Sequence, residues 1–249
     1  MSEAAIVQSP VYVILGATGG IGAALTRRLA ATGARLILGA RNEAKLSALA
    51  QETNAAFQVV EATQSESVDS FIAYAQQLYG QVNGAVNCVG SLLLKPAHLT
   101  TNDEWDITMR QNLSSAFYLL RASAKVMKDG GSIVLLSSAA ARTGLANHEA
   151  IAAAKAGVIG LALSAASSYA ARGIRINCVA PGLVDTPMTA RITGNETAVK
   201  ASAAMHALGR IGAPEDVASA IAWLLDPMNN WVTGQVIGVD GGLATLKPR

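Results

Sequence analysis

Short runs of β-branched and apolar residues alternate along most of this chain with longer stretches whose apolar positions recur at helical spacing. The first kind predicts strands at 11–15, 35–39, 57–60, 84–88, 132–137, 175–179 and 235–239. The second predicts helices near 21–32, 43–52, 66–79, 102–127, 149–171 and 214–225. Strand followed by helix, repeated without interruption, is the pattern of βαβ units. It predicts an α/β fold, a doubly wound, seven-stranded parallel sheet with helices on both faces. No linker, internal repeat or shift in composition divides residues 1–249, so a single domain is expected. One segment breaks the rhythm. Residues 187–210 are polar and punctuated by Gly194 and Asn195, and they follow a strand end. That is the place of a substrate lid in α/β folds, or of an ordinary surface connection.

Composition agrees with this picture. Hydrophobic residues make up 51% of the chain and charged residues 14%, as suits a sheet covered on both sides. The formal charge of +2 and the lack of a basic cluster point away from nucleic acid and anionic membranes. Cys88 and Cys178 lie in apolar, strand-like runs and read as reduced, buried thiols, which favours a cytoplasmic setting. Residues 1–8 contain Glu3 and no basic region, so no secretory signal is expected there. The uncharged part of the most apolar helix, 156–171, falls short of the ~20 residues of a membrane span. No His/Cys/Asp grouping has metal-ligand spacing, and no metal is expected.

Chemistry enters at the strand ends. Gly16-Ala17-Thr18-Gly19-Gly20-Ile21-Gly22 follows the first strand and opens the first helix. Such a turn lets the backbone approach a pyrophosphate and aims helix N–H groups at it. Further along stand Asn87-Cys88-Val89-Gly90, Asn112, Ser137-Ser138, Lys155 and Pro181-Gly182-Leu183-Val184-Asp185-Thr186.

In order and spacing these motifs resemble the classical short-chain dehydrogenases/reductases over the whole chain, which implies a Rossmann fold and a nicotinamide cofactor. The resemblance places Gly16, Thr18, Gly20, Ile21 and Gly22 at the pyrophosphate. Glu61 and Ala62 fall beside the adenine, Asn87 and Gly90 at the turn after the fourth strand, and Pro181, Gly182, Val184 and Thr186 around the nicotinamide. Arg41 and Asn42 end the second strand, where relatives that use NAD carry an acidic residue. A guanidinium there can pair with the phosphate on the adenosine ribose, so NADPH is favoured over NADH, unless Arg41 merely solvates a loop.

At the reacting end the resemblance assigns Ser138 to orient the acceptor, Lys155 to hold the nicotinamide ribose and Asn112 to hold a water relay. The family's tyrosine, four residues before the lysine, is here Ile151. His148, seven residues before Lys155, has the spacing of the tyrosine in the enoyl-thioester reductases, a divergent branch of the superfamily. On a continuous helix it would lie two turns from Lys155 on one face. An imidazole there could hydrogen-bond a developing enolate or alkoxide; alternatively, His148 is a loop-edge residue. Ala152, Ala153, Ala154, Ala156, Gly157 and Gly160 allow close helix packing, and the resemblance implies a homo-oligomer, a tetramer. Two functions stay open: an NADPH-dependent oxidoreductase acting on an activated C=O or conjugated C=C bond of a small molecule, or a catalytically silent NADPH-binding sensor or partner subunit.

Overall fold

The computed structural model describes residues 9–247; the expectation about a secretory signal lies outside them. Seven strands form one parallel sheet: β1 (Val11–Leu15), β2 (Arg35–Ala40), β3 (Ala56–Val59), β4 (Gly84–Asn87), β5 (Gly131–Leu136), β6 (Ile174–Pro181) and β7 (Val236–Val239). Their order is β3-β2-β1-β4-β5-β6-β7. The direction of winding reverses between β1 and β4, and ligands of open α/β sheets bind beyond the strand ends at such a point.

The strand pattern explains the two layers. Every residue of β1 is buried. Val11, Val13 and Leu15 face one apolar cluster with Phe71, Leu119 and Val158, whereas Tyr12 and Ile14 face another with Leu25, Leu46 and Ile221. The first cluster belongs to α3 (Ser65–Tyr79), α5 (Ser115–Val126) and α6 (Glu149–Tyr169). The second belongs to α1 (Gly20–Ala30), α2 (Glu43–Thr53) and α9 (Pro214–Leu225). A continuous apolar strand is what burial on both faces demands.

Three expectations are corrected. The helix expected at 102–127 is α4 (Asn102–Met109), then a π turn (Arg110–Ser114), then α5. The π turn holds Asn112 and widens the helix where that buried side chain meets Ser91 of the loop after β4. The segment 187–210, where the sequence pattern predicts no helix, contains α7 (Ala190–Thr193) and α8 (Glu196–Met205), the latter capped by Asn195, whose side chain accepts the Ala198 N–H at 3.0 Å. Finally, Glu149–Arg172 is long and apolar enough to cross a membrane. Here it packs along the sheet, with Val158, Ala162, Ala165 and Ala166 in the core.

Candidate active site

The glycine turn hangs from the second strand: Gly16 and Ala17 donate to the Gly39 carbonyl at 2.7 and 3.1 Å. Gly16 has a φ of +84°, which side chains with a Cβ avoid. A Cβ on Gly20 would stand 2.7 Å from Thr186 Cγ2, so only glycine lets the loop after β6 close on this turn. Gly19 precedes α1 without a side-chain cap, and the first turn of α1 carries no acidic residue. The first N–H groups of the helix therefore stay available to an anion. These residues fit a nucleotide pyrophosphate.

A cavity of about 630 Å³ opens over the ends of β1, β4, β5 and β6. Its lining includes Gly20, Ile21, Gly22, Gly90, Asn112, Ser138, His148, Ile151, Lys155, Pro181, Gly182, Val184 and Thr186. All four residues expected at the reacting end thus meet in one space. Gly16 and Thr18 form the turn behind it. Arg41 and Glu61 lie beyond the wall at the ends of the neighbouring strands β2 and β3. Burial raises the Glu61 carboxyl, but hydrogen bonds from Thr63 and the nearby charge of Arg41 outweigh it and hold the group below its usual range.

Other expected ligands spend their side chains on the fold. Asn42 caps α2, accepting the Lys45 N–H at 2.9 Å. Asn87 donates to Ser115 Oγ at 3.0 Å and accepts the Val89 N–H at 2.9 Å, which shapes the turn after β4 without lining the cavity. Ala62 is buried in the core.

Lys155 enters from α6. Its Nζ donates to the Leu136 carbonyl at 2.9 Å, while Ser137 Oγ donates to the Lys155 carbonyl at 2.9 Å. This pair of bonds clasps α6 to the end of β5 and leaves Ser138, the next residue, on the cavity. Ser138 Oγ accepts the Ala140 N–H at 3.1 Å, so its own proton can point to a ligand. Among the described residues no carboxylate pairs with Lys155, and burial lowers its pKa from 10.5 to about 8 despite the opposing influence of Cys178 and Cys88. Burial also pushes both thiols up to about 12, so neither is an acid at neutral pH.

Asn112 Nδ2 donates to Ser91 Oγ at 2.9 Å and to the Thr108 carbonyl at 3.0 Å, and its Oδ1 accepts the Ser91 N–H at 3.2 Å. The amide pins the loop after β4 against the π turn. Ser91 gave no signal in the sequence, because the pairing spans 21 residues.

His148 does not continue the face of α6. It is the residue before the helix, with φ −111° and ψ 12°, and its Nδ1 lies 2.7 Å from the Ala146 carbonyl. A carbonyl only accepts, so Nδ1 carries a proton. The neutral ring then has a bare Nε2, which can accept but not donate. Donation to an oxyanion by Nε2 therefore requires the imidazolium.

His206, unassigned from the sequence, is buried and bridges α8 to the loop after β6. Its Nδ1 meets the Ser202 carbonyl at 2.7 Å and its Nε2 accepts the Leu183 N–H at 3.2 Å. The apolar lining from Leu92, Leu94, Leu145, Ile192, Met205 and Leu243 was also invisible in sequence, since it gathers from separate loops and from α7 and α8.

Comparison with known proteins places this geometry. Residues 16–244 match the family model described as enoyl-(acyl carrier protein) reductase. A 3-oxoacyl-(acyl-carrier-protein) reductase of Thermotoga maritima is 35% identical over 245 residues, covering 95% of this chain and 98% of the relative. A tropinone reductase homolog of Arabidopsis thaliana is 33% identical, covering 92% and 90%. Among solved structures, a short-chain type dehydrogenase/reductase from Mycobacterium ulcerans superposes with a TM-score of 0.92 at 30% identity, covering 97% of this chain and 92% of that one. A variant actinorhodin polyketide ketoreductase solved with NADPH gives a TM-score of 0.89 at 28% identity, covering 96% and 98%.

Proposed function

Because this chain belongs to the short-chain dehydrogenase/reductase family and is an oxidoreductase of that type, we propose that it uses NADPH to reduce an activated C=O or conjugated C=C bond of a small molecule, with His148 in place of the family's tyrosine. One observation carries this reading. His148 lines the same cavity as Ser138 and Lys155, with its Nδ1 held by the Ala146 carbonyl and its Nε2 left free, whereas Ile151 carries no exchangeable proton.

NADPH, when bound, supplies the hydride. The glycine turn and the α1 N-terminus hold its pyrophosphate, Arg41 the ribose phosphate, and Lys155, Pro181, Gly182, Val184 and Thr186 the nicotinamide half. Support for NADPH over NADH is Arg41 at the β2 end and the NADPH in the ketoreductase structure. Ser138 orients the acceptor oxygen with the proton it does not spend on Ala140. His148 as imidazolium gives its Nε2 proton to that oxygen, and the bond from Nδ1 to Ala146 holds the ring in place. The sum is reduction of the acceptor by one hydride and one proton. Reduction of a conjugated C=C bond asks least of this site, since the enolate oxygen needs hydrogen bonding while carbon takes the hydride.

The segment 187–210 acts as the lid, since Met188, Ile192, Ala198, Ser202 and Met205 line the cavity. The chain is one domain and works in the cytoplasm as a homotetramer. Support for assembly is the exposed apolar surface of Trp105, Ile107, Phe117 and Leu163 on α4, α5 and α6.

The test follows NADPH absorbance with ketones, diketones, quinones and enoyl thioesters. His148→Ala should remove most activity while leaving the Kd for NADPH unchanged, and full retention would sink the assignment of the acid. Tight NADPH binding with no turnover of any acceptor would replace the reductase by a cofactor sensor.

A further inference from the structure

We infer that the acceptor chamber is built for a neutral, apolar substrate and selects against both carboxylate and ammonium groups. This rests on the reductase reading above and concerns the same cavity.

The chamber beyond the glycine turn is walled by Leu92, Leu94, Ile151, Met188, Ile192 and Met205. These come from the loop after β4, from α6, and from the segment after β6, so three separate stretches put apolar side chains on the wall, beside the neutral hydroxyls of Ser91, Thr186, Thr189 and Ser202 and the Lys155 ammonium. Leu92, Leu94, Met188 and Met205 are 36–50% exposed. They form an apolar rim that water touches in the free chain and that an apolar guest would cover. The methionines are unbranched and adaptable, so the wall can fit more than one outline.

Charge makes the selection. Among the described residues no aspartate, glutamate or arginine lines the cavity. A carboxylate on the substrate would give up its water and find no guanidinium, and the Nε2 proton of His148 is spent on the acceptor oxygen. Lys155 does not serve it. The Lys155 ammonium is held by Leu136 at the end of β5 and lies 3.5 Å from where a Gly90 Cβ would stand, at the base of the cavity rather than its rim. An ammonium on the substrate fares no better, because the cavity offers it no anion and already holds a buried cation.

Three cyclohexanones substituted opposite the carbonyl test this: tert-butyl (neutral), carboxylate (anionic) and trimethylammonio (cationic). With the full chain and saturating NADPH, kcat/KM for the neutral ketone should exceed both others by about tenfold or more, with the difference in KM. Equal or better use of either charged ketone overturns the inference. If none is turned over, calorimetric binding to the NADPH complex decides. Tighter binding of the neutral ketone upholds the chamber while the reductase reading falls, and no binding, or tighter binding of a charged one, overturns the chamber. Met205→Arg supplies the missing guanidinium on an exposed part of the wall. It should narrow the gap between neutral and anionic ketone by about tenfold, and an unchanged gap refutes the placement of Met205 in the chamber.

Discussion

Lys155→Met should stabilise the protein while disabling it. The lysine is 7% exposed, its ammonium touches one carbonyl, and among the described residues no carboxylate pairs with it. Lowering its pKa from 10.5 to about 8 corresponds to about 3 kcal/mol lost on folding at neutral pH, where the buried group must carry its charge. Methionine fills much of the same volume and removes that penalty. It also leaves the Leu136 carbonyl without its donor, at a cost of about 1 kcal/mol. The net gain at pH 7 is then about 2 kcal/mol, or a rise in Tm of roughly 4–8 °C for a chain of this size. The sign of the pH dependence follows from proton counts. Between pH 8 and 10.5 the unfolded chain holds a proton that the folded chain has released, so the parent protein gains stability as pH rises through that window. The advantage of the variant should shrink across the same window. Thermal melts at pH 7 and at pH 10 measure this, with calorimetry to secure two-state behaviour. A variant less stable than the parent at pH 7, or an advantage independent of pH, would refute the idea that Lys155 is an unpaired buried charge kept for function.

Arg41→Ala should raise the KM for NADPH by about ten- to a hundredfold and leave that for NADH nearly unchanged, as steady-state kinetics would show; equal weakening of both counts against the ribose-phosphate assignment. Asn112→Ala strips partners from the Ser91 N–H, Ser91 Oγ and the Thr108 carbonyl, so denaturant unfolding should register a loss of about 2–3 kcal/mol. Ile151→Tyr puts a phenol on a residue that is 4% exposed but lines the cavity, and ketone reduction should rise by about tenfold or more in an absorbance assay. No gain would mean that Ile151 does not stand where the family's proton donor stands.

How much of this was legible in the sequence depends on how local each cause is. The bounds of β1 could be read directly, because a strand buried on both faces must be continuously apolar and the glycine turn marks its end. The glycine turn itself was legible for the same reason: its φ and its close approach to Thr186 leave one residue type. The π turn was not, since it coincides with an amide reaching back to Ser91, a contact no local propensity encodes. Nor was the role of His206, whose two partners, Ser202 and Leu183, belong to different elements. His148 lies between these cases. Sequence spacing put it near Lys155 but assumed one continuous helix. In the fold it sits just outside that helix, and the backbone carbonyl of Ala146, not helical periodicity, fixes its ring. With Nδ1 committed, the neutral ring turns a bare Nε2 to the cavity and can only accept there, whereas the charged ring can also donate. The hydrogen-bonding sense of the ring is thus set by the loop before α6, something no reading of residue types along that helix would reveal.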